Sequence, residues 1–193
     1  LSVTATVAVL ATGCGSSSKD DNSGKSNKPQ VGVILPDTTS SARYTQYDAP
    51  LLKKAFDDAG VKADIQNAQG DNAKFVSIAQ SMIAEGVKVL LIDPADPQTG
   101  ISVETAAKAA GIAVIDYDRV NLGGSAGYYV SFDNQSVGKL QGQTLLDCIG
   151  NKSGAQVIML NGGTDIDNNA VEFKKGAHSV LDPAAAAGKI KIA

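Results

Sequence analysis

The stretch Phe75-Val76-Ser77-Ile78-Ala79-Gln80-Ser81-Met82-Ile83-Ala84-Glu85-Gly86-Val87-Lys88-Val89-Leu90-Leu91-Ile92 decides the fold. Phe75, Ile78, Ala79, Met82 and Ile83 recur at the three-and-four spacing of one helix face. Gly86 follows the last of them, where a residue tolerant of left-handed backbone ends a helix. Val87–Ile92 is then a short, nearly unbroken apolar run, as expected of a strand buried on both faces. Helix, glycine stop and buried strand within 18 residues make one half-turn of a parallel α/β sheet.

The unit repeats outward in both directions. Upstream, the runs Val31–Leu35 and Val61–Ile65 predict strands, and Tyr44, Leu51, Leu52, Ala55 and Phe56 mark one side of a helix between them. Downstream, Ser102–Ala110 is alanine-rich and helical, Ile112–Ile115 and Val157–Leu160 predict strands, and Asn134–Ile149 predicts a helix. Tyr128–Ser131 predicts a further strand, reached through a glycine-rich loop with no room for a helix. Gly60, Gly86, Gly111 and Gly150 stop the four helices. Right-handed crossovers place helices on both faces, so the expected class is α/β with a doubly wound parallel sheet.

Bulk properties narrow the function. The chain has 193 residues, 17 basic and 20 acidic, for a net charge of −3. A general nucleic-acid binder carries a basic excess instead. Two cysteines, Cys14 and Cys148, do not make a disulfide framework. Cys148 follows Leu145 and Leu146 in a helical pattern and is expected to be a buried free thiol.

The first 13 residues read as an export signal. Leu1–Leu10 is apolar, too short to span a bilayer, and leads into Ala11-Thr12-Gly13-Cys14, which is similar to a bacterial lipobox. Cys14 is then the expected lipidation site. Residues 14–29 follow without an apolar side chain between Gly15 and Pro29, and read as a flexible tether. The chain opens on Leu1 and closes within a strand-like run, so it is expected to be part of a longer protein.

In doubly wound sheets ligands bind beyond the carboxyl ends of the strands. That selects the loops Pro36–Arg43, Asp93–Gln98, Asp116–Gly124 and Asn161–Asn169. Asp116-Tyr117-Asp118-Arg119 offers carboxylates and a guanidinium that could satisfy neighbouring hydroxyls, or could be a surface ion pair. Tyr44 could stack on the apolar face of a sugar ring or sit at the edge of the core. Asp165-Ile166-Asp167-Asn168-Asn169 opens like a calcium loop, but Ala170 stands at the required glycine and Gly176 at the bidentate glutamate. A loop that caps the next helix, or one that binds a ligand, fits better. His178 is the sole histidine, no cysteine–histidine set suits a metal, and no nucleophile–base set can be assembled. Neither catalysis nor a cofactor is expected.

Three segments carry a resemblance: Ile115-Asp116-Tyr117-Asp118-Arg119-Val120, Tyr129-Val130-Ser131-Phe132-Asp133-Asn134, and Gly162-Gly163-Thr164-Asp165-Ile166-Asp167-Asn168-Asn169-Ala170. Together with Gly188-Lys189-Ile190-Lys191-Ile192 they resemble the periplasmic sugar-binding proteins of ABC importers. This is the ribose, galactose and xylose family, and the Asp167-Asn168-Asn169-Ala170 element points toward the xylose binders. The resemblance runs from Val31 to the end of the chain. It implies a periplasmic-binding-protein-like I fold with two α/β lobes and a monosaccharide in the cleft between them. Residues 30–149 would form the first lobe and residues 150–193 the start of the second. It implies that Arg43, Asp118 and Arg119 bond the sugar from the first lobe, with Asp167 and Asn169 doing so from the second. Tyr44 would stack on the ring, where xylose binders carry tryptophan. A membrane permease would be the partner, and nucleic acid would not. The rival readings are a chemoreceptor ligand-binding protein, the sensor domain of a sugar-responsive transcription regulator and a sugar-modifying enzyme.

Overall fold

The computed structural model describes residues 29–193 apart from 164 and 166. The expected export signal, Cys14 and nearly all of the expected tether lie outside the described residues. Five strands form one sheet in the order β2-β1-β3-β4-β5, with every neighbouring pair parallel. They are β1 (Val31–Leu35), β2 (Ala63–Asn67), β3 (Val89–Ile92), β4 (Ala113–Tyr117) and β5 (Tyr128–Val130). The helices between them are α1 (Ala49–Asp58), α2 (Asn72–Glu85) and α3 (Pro97–Ala109). Gly60, Gly86, Gly111 and Gly150 all carry positive φ at the ends of their helices.

Both sheet faces are covered, as a doubly wound sheet requires. On one, Phe75, Ile78 and Met82 of α2 and Val103 and Ala107 of α3 pack against Ile34, Leu90, Ile92 and Val114. Full burial of a side chain such as Phe75 or Met82 stabilises by about 1.5–3 kcal/mol. On the other, Tyr44 joins Val33, Leu35 and Leu91, with Leu52 and Phe56 half-buried beside them.

The first helix departs from its sequence reading. Leu51 and Ala55 are exposed. The cause is a π-helical turn at Tyr44–Asp48, where the Ala49 amide donates to the Tyr44 carbonyl. Pro50 has no amide hydrogen to offer the preceding turn, which favours the widening. One extra residue in the turn shifts the phase, so Tyr44, Asp48, Leu52 and Phe56 line up instead.

No helix joins β4 to β5. The connection over residues 118–127 is tied to α3 by Glu104, which is fully buried. Its carboxylate accepts from the amides of Ser125 and Ala126 (2.8 Å for the latter) and from Asn121 Nδ2 at 2.8 Å.

The remainder packs separately. α4 (Asn134–Ile149) lies on α5 (Asn168–Ala186), and both cover a two-stranded parallel sheet of β6 (Ala155–Val157) and β7 (Ile190–Ile192). Leu146, Val157, Ala177, Leu181 and Ile190 form this second core. A boundary at residue 149 therefore falls inside the second packed unit, and the chain crosses over just before Asp133. Two further expectations are corrected. The predicted strand Val157–Leu160 lies instead at Ala155–Val157, the three residues that pair with Ile190–Ile192 of β7. Cys148 is exposed, because the buried stripe of α4 runs through Asn134, Gly138, Gly142 and Leu146.

Candidate functional site

The carboxyl ends of β1, β3 and β4 meet the N-terminus of α5, and their polar side chains form one connected network. The π turn sets Arg43 directly above Asp48: Arg43 Nε donates to Asp48 Oδ2 at 2.8 Å, five residues on. Arg43 Nη1 donates to Asp118 Oδ1 at 3.0 Å, and the Tyr44 hydroxyl donates to Asp118 Oδ2 at 3.1 Å. Burial, followed by the nearby Asp93 carboxylate, raises the Tyr44 hydroxyl well above the usual phenol range, so it remains a donor. In the loop after β1, Asp37 accepts from the amides of Thr39 at 2.8 Å and Ser40 at 2.6 Å. Burial alone would push its carboxyl up, but the bonds from Ser40 and Thr39 outweigh it and hold it below the ordinary value.

Asp118 is the pivot. Its φ is +65°, left-handed backbone that a residue with a side chain adopts only when its surroundings hold it there. Its amide donates to the Val130 carbonyl at 2.8 Å. Its own carbonyl accepts from Asn169 Nδ2 at 2.9 Å and faces the Tyr129 hydroxyl at 3.0 Å. That hydroxyl shares its proton with Asn169 Oδ1, at 3.1 Å.

Arg119 joins the two packed units. Nη1 donates to the Pro94 carbonyl at 3.2 Å and Nη2 to the Tyr44 hydroxyl at 3.4 Å. Nε lies 3.7 Å from Asp167 Oδ2 and 3.9 Å from Asp93 Oδ1. Asp167 also caps α5 by accepting from the Asn169 amide at 2.8 Å. Asn169 is buried, and Asn134 Nδ2 donates to its side-chain oxygen at 2.8 Å.

The structure thus brings Arg43, Tyr44, Asp118, Arg119, Asp167 and Asn169 into one cluster. Asp118 and Arg119 do not pair with each other, and Asp118 is buried, so the surface ion-pair alternative fails. Tyr44 is only 4% exposed, and the Arg43 guanidinium lies 5.3 Å above its ring, so the ring is closed to stacking in this conformation. Its hydroxyl alone serves the cluster. Asp116 faces away: its carboxylate accepts from the Asn121 amide at 2.8 Å and from Asn121 Nδ2 at 2.9 Å. Burial leads, with Glu104 nearby, in raising that carboxyl to about 6.

Sequence reasoning missed Asp48, Asp93, Tyr129 and Asn134. Asp93 had a readable signal, a charge directly after four apolar residues at a strand's carboxyl end. Asp48 had none, because a five-residue repeat is invisible to a 3.6-residue period.

Residues 31–193 match the periplasmic binding protein domain. The chain is 40% identical over 187 residues to the multiple sugar-binding periplasmic protein SbpA of Azospirillum brasilense, covering 95% of this chain and 50% of that protein. It is 33% identical over 184 residues to the D-xylose-binding periplasmic protein of Escherichia coli strain K12, covering 95% and 54%. Among solved structures, the carbohydrate transporter solute-binding protein of Chloroflexus aurantiacus in complex with D-glucose aligns with a TM-score of 0.74 at 34% identity, over 85% of this chain and 47% of that one. The family model spans all but the first 30 residues, and the chain belongs to the periplasmic binding protein family. It spans about half the length of the curated relatives it matches.

Proposed function

We propose that this chain forms the first lobe, and the beginning of the second, of an extracytoplasmic binding protein that captures a monosaccharide and delivers it to an ABC permease. The observation that carries the reading is the Arg43–Asp118–Arg119–Asp167–Asn169 network, drawn from both packed units where strand ends meet a helix cap. A sugar buried between two lobes needs nearly every hydroxyl paired. Planar carboxylate, amide and guanidinium groups supply such pairs in fixed geometry. Binding shifts an open–closed equilibrium, and the closed form is the one a permease reads. D-xylose or a related aldose is the proposed ligand, supported by the Asp167-Asn168-Asn169-Ala170 element and by the named xylose-binding relative.

Calorimetry of the full-length protein with D-xylose, D-glucose, D-galactose, D-ribose and L-arabinose tests this. Saturable heat with at least one aldose and no product on chromatography is expected. Silence across the panel, or turnover of any sugar, rules the proposal out. The lipobox-like Ala11-Thr12-Gly13-Cys14 supports a lipid anchor at the cell membrane. Labelled palmitate should enter the parent and be lost in Cys14→Ser; label retained by the variant contradicts the anchor.

A further inference from the structure

Asp93 is wholly buried at the end of β3, and neither of its carboxylate oxygens has a hydrogen-bond partner. Burying a carboxylate without donors is costly, and the hydrogen bonds that stabilise the other acids of the network are missing here. Two guanidiniums act on it, and of these Arg119 is the one within ion-pair distance. The Arg119 guanidinium lies 3.9 Å away, held in place by the Pro94 carbonyl next along the same turn.

Charge in the network is lopsided. Arg43 is flanked by Asp48 at 2.8 Å and Asp118 at 3.0 Å, and Arg119 by Asp167 at 3.7 Å and Asp93 at 3.9 Å. Asp37 adds a further carboxylate whose field reaches Arg119. Two guanidiniums therefore face five carboxylates. A guanidinium with charge to spare is the favoured anchor for a ligand carboxylate or phosphate. Here neither has any to spare, and Asp93 has no other use.

We infer that Asp93 is a specificity-determining residue: by neutralising Arg119 in advance it makes the cleft accept uncharged sugars and reject uronates and sugar phosphates. This rests on the sugar-binding reading above and deepens it to a ligand charge class. Asp93 acts through Arg119, so it positions and balances charge and does not itself touch the ligand in this conformation.

The inference has a pH signature. The charged and titratable groups facing Asp93 are Arg43 and Tyr44 from the first helix, Asp118 and Arg119 after β4, and Asp167 at the cap of α5. Burial first, then Asp118, raises the Asp93 carboxyl well above the ordinary aspartate value, against the pull of Arg119. At acid pH Asp93 is neutral and an anionic sugar meets less repulsion. As pH rises through its elevated value it ionises, and uronate affinity falls while that of the neutral aldose does not.

The test measures both affinities in the full-length protein with the pairs D-glucose and D-glucuronate, and D-galactose and D-galacturonate, between about pH 5 and about pH 9. The parent is expected to favour the aldose by about 100-fold at the alkaline end, where ΔΔG is about 2.7 kcal/mol, with the preference shrinking toward acid. Asp93→Asn should lower the preference about tenfold and flatten its pH profile; Asp93→Glu should restore the slope. A pH-independent ratio in the parent overturns the inference even if no variant folds, as does Asp93→Asn retaining the parent's profile. Failure of every neutral aldose to bind is a different result, one that removes the sugar-binding reading itself.

Discussion

Arg119→Ala should lose sugar affinity by about 100-fold or more and also unfold more easily. A hydrogen bond from a charged group contributes about 1.5–3 kcal/mol, and a guanidinium fork makes more than one. The stability loss has a separate origin. Without Arg119, Asp93 is buried with no donor on either oxygen and only the more weakly acting Arg43 guanidinium to offset its charge. Breaking a buried pair from one side costs about 3–5 kcal/mol, reduced here because Asp93 can take up a proton. Arg119→Lys separates the two effects: an ammonium keeps the charge beside Asp93 and restores most of the stability. It cannot reproduce the contacts to the Pro94 carbonyl and the Tyr44 hydroxyl, and affinity should remain at least about tenfold below the parent. Urea unfolding and calorimetry on the three proteins decide the matter. Parent-like affinity in Arg119→Ala would show that the sugar sits elsewhere.

The doubly wound sheet was legible because its signals are local and repeated. The Phe75–Ile83 face, the Gly86 stop and the Val87–Ile92 run each follow from side-chain period or backbone tolerance, and no distant contact is needed to read them. Loops at strand ends were legible for the same reason, since topology alone places them. What failed was whatever depended on an irregular turn or a distant partner. The π turn at Tyr44–Asp48 shifted the phase of the first helix and brought Asp48 under Arg43. Asp118 was named from its own loop, but its bond to Arg43 spans 75 residues of chain and nothing in its immediate neighbours marked that partner. The place where the chain passes from one core to the next was misread because α4 is a good helix in either setting. Only its contact with α5 assigns it to the second core.

That contact leads to the second large effect. Alanine in place of glycine inside a helix normally stabilises by about 1 kcal/mol. At Gly138 and Gly176 the sign should reverse. A Cβ on Gly138 would collide with the Phe173 backbone carbonyl of α5, and one on Gly176 with the Gln135 carbonyl of α4. The obstacle is backbone in both cases, so no rotamer change relieves it and the helices must move apart. Overpacking costs about 1–3 kcal/mol where side chains can give way, so each substitution should reach about 3 kcal/mol or more. Gly142→Ala is the milder control, since its Cβ would lie 3.1 Å from the Ala177 carbonyl oxygen. The double variant Gly138→Ala/Gly176→Ala should cost less than the sum, because helices already forced apart by one methyl accommodate the other. Site geometry follows the same movement: α4 holds Asn134 against Asn169, and Asn169 holds the Asp118 carbonyl. Separating the helices should therefore weaken the proposed sugar binding from outside the Arg43–Asn169 cluster. Urea unfolding by far-ultraviolet dichroism, read beside calorimetry, measures both effects, and a Gly138→Ala protein more stable than its parent would mean the two helices do not pack this closely.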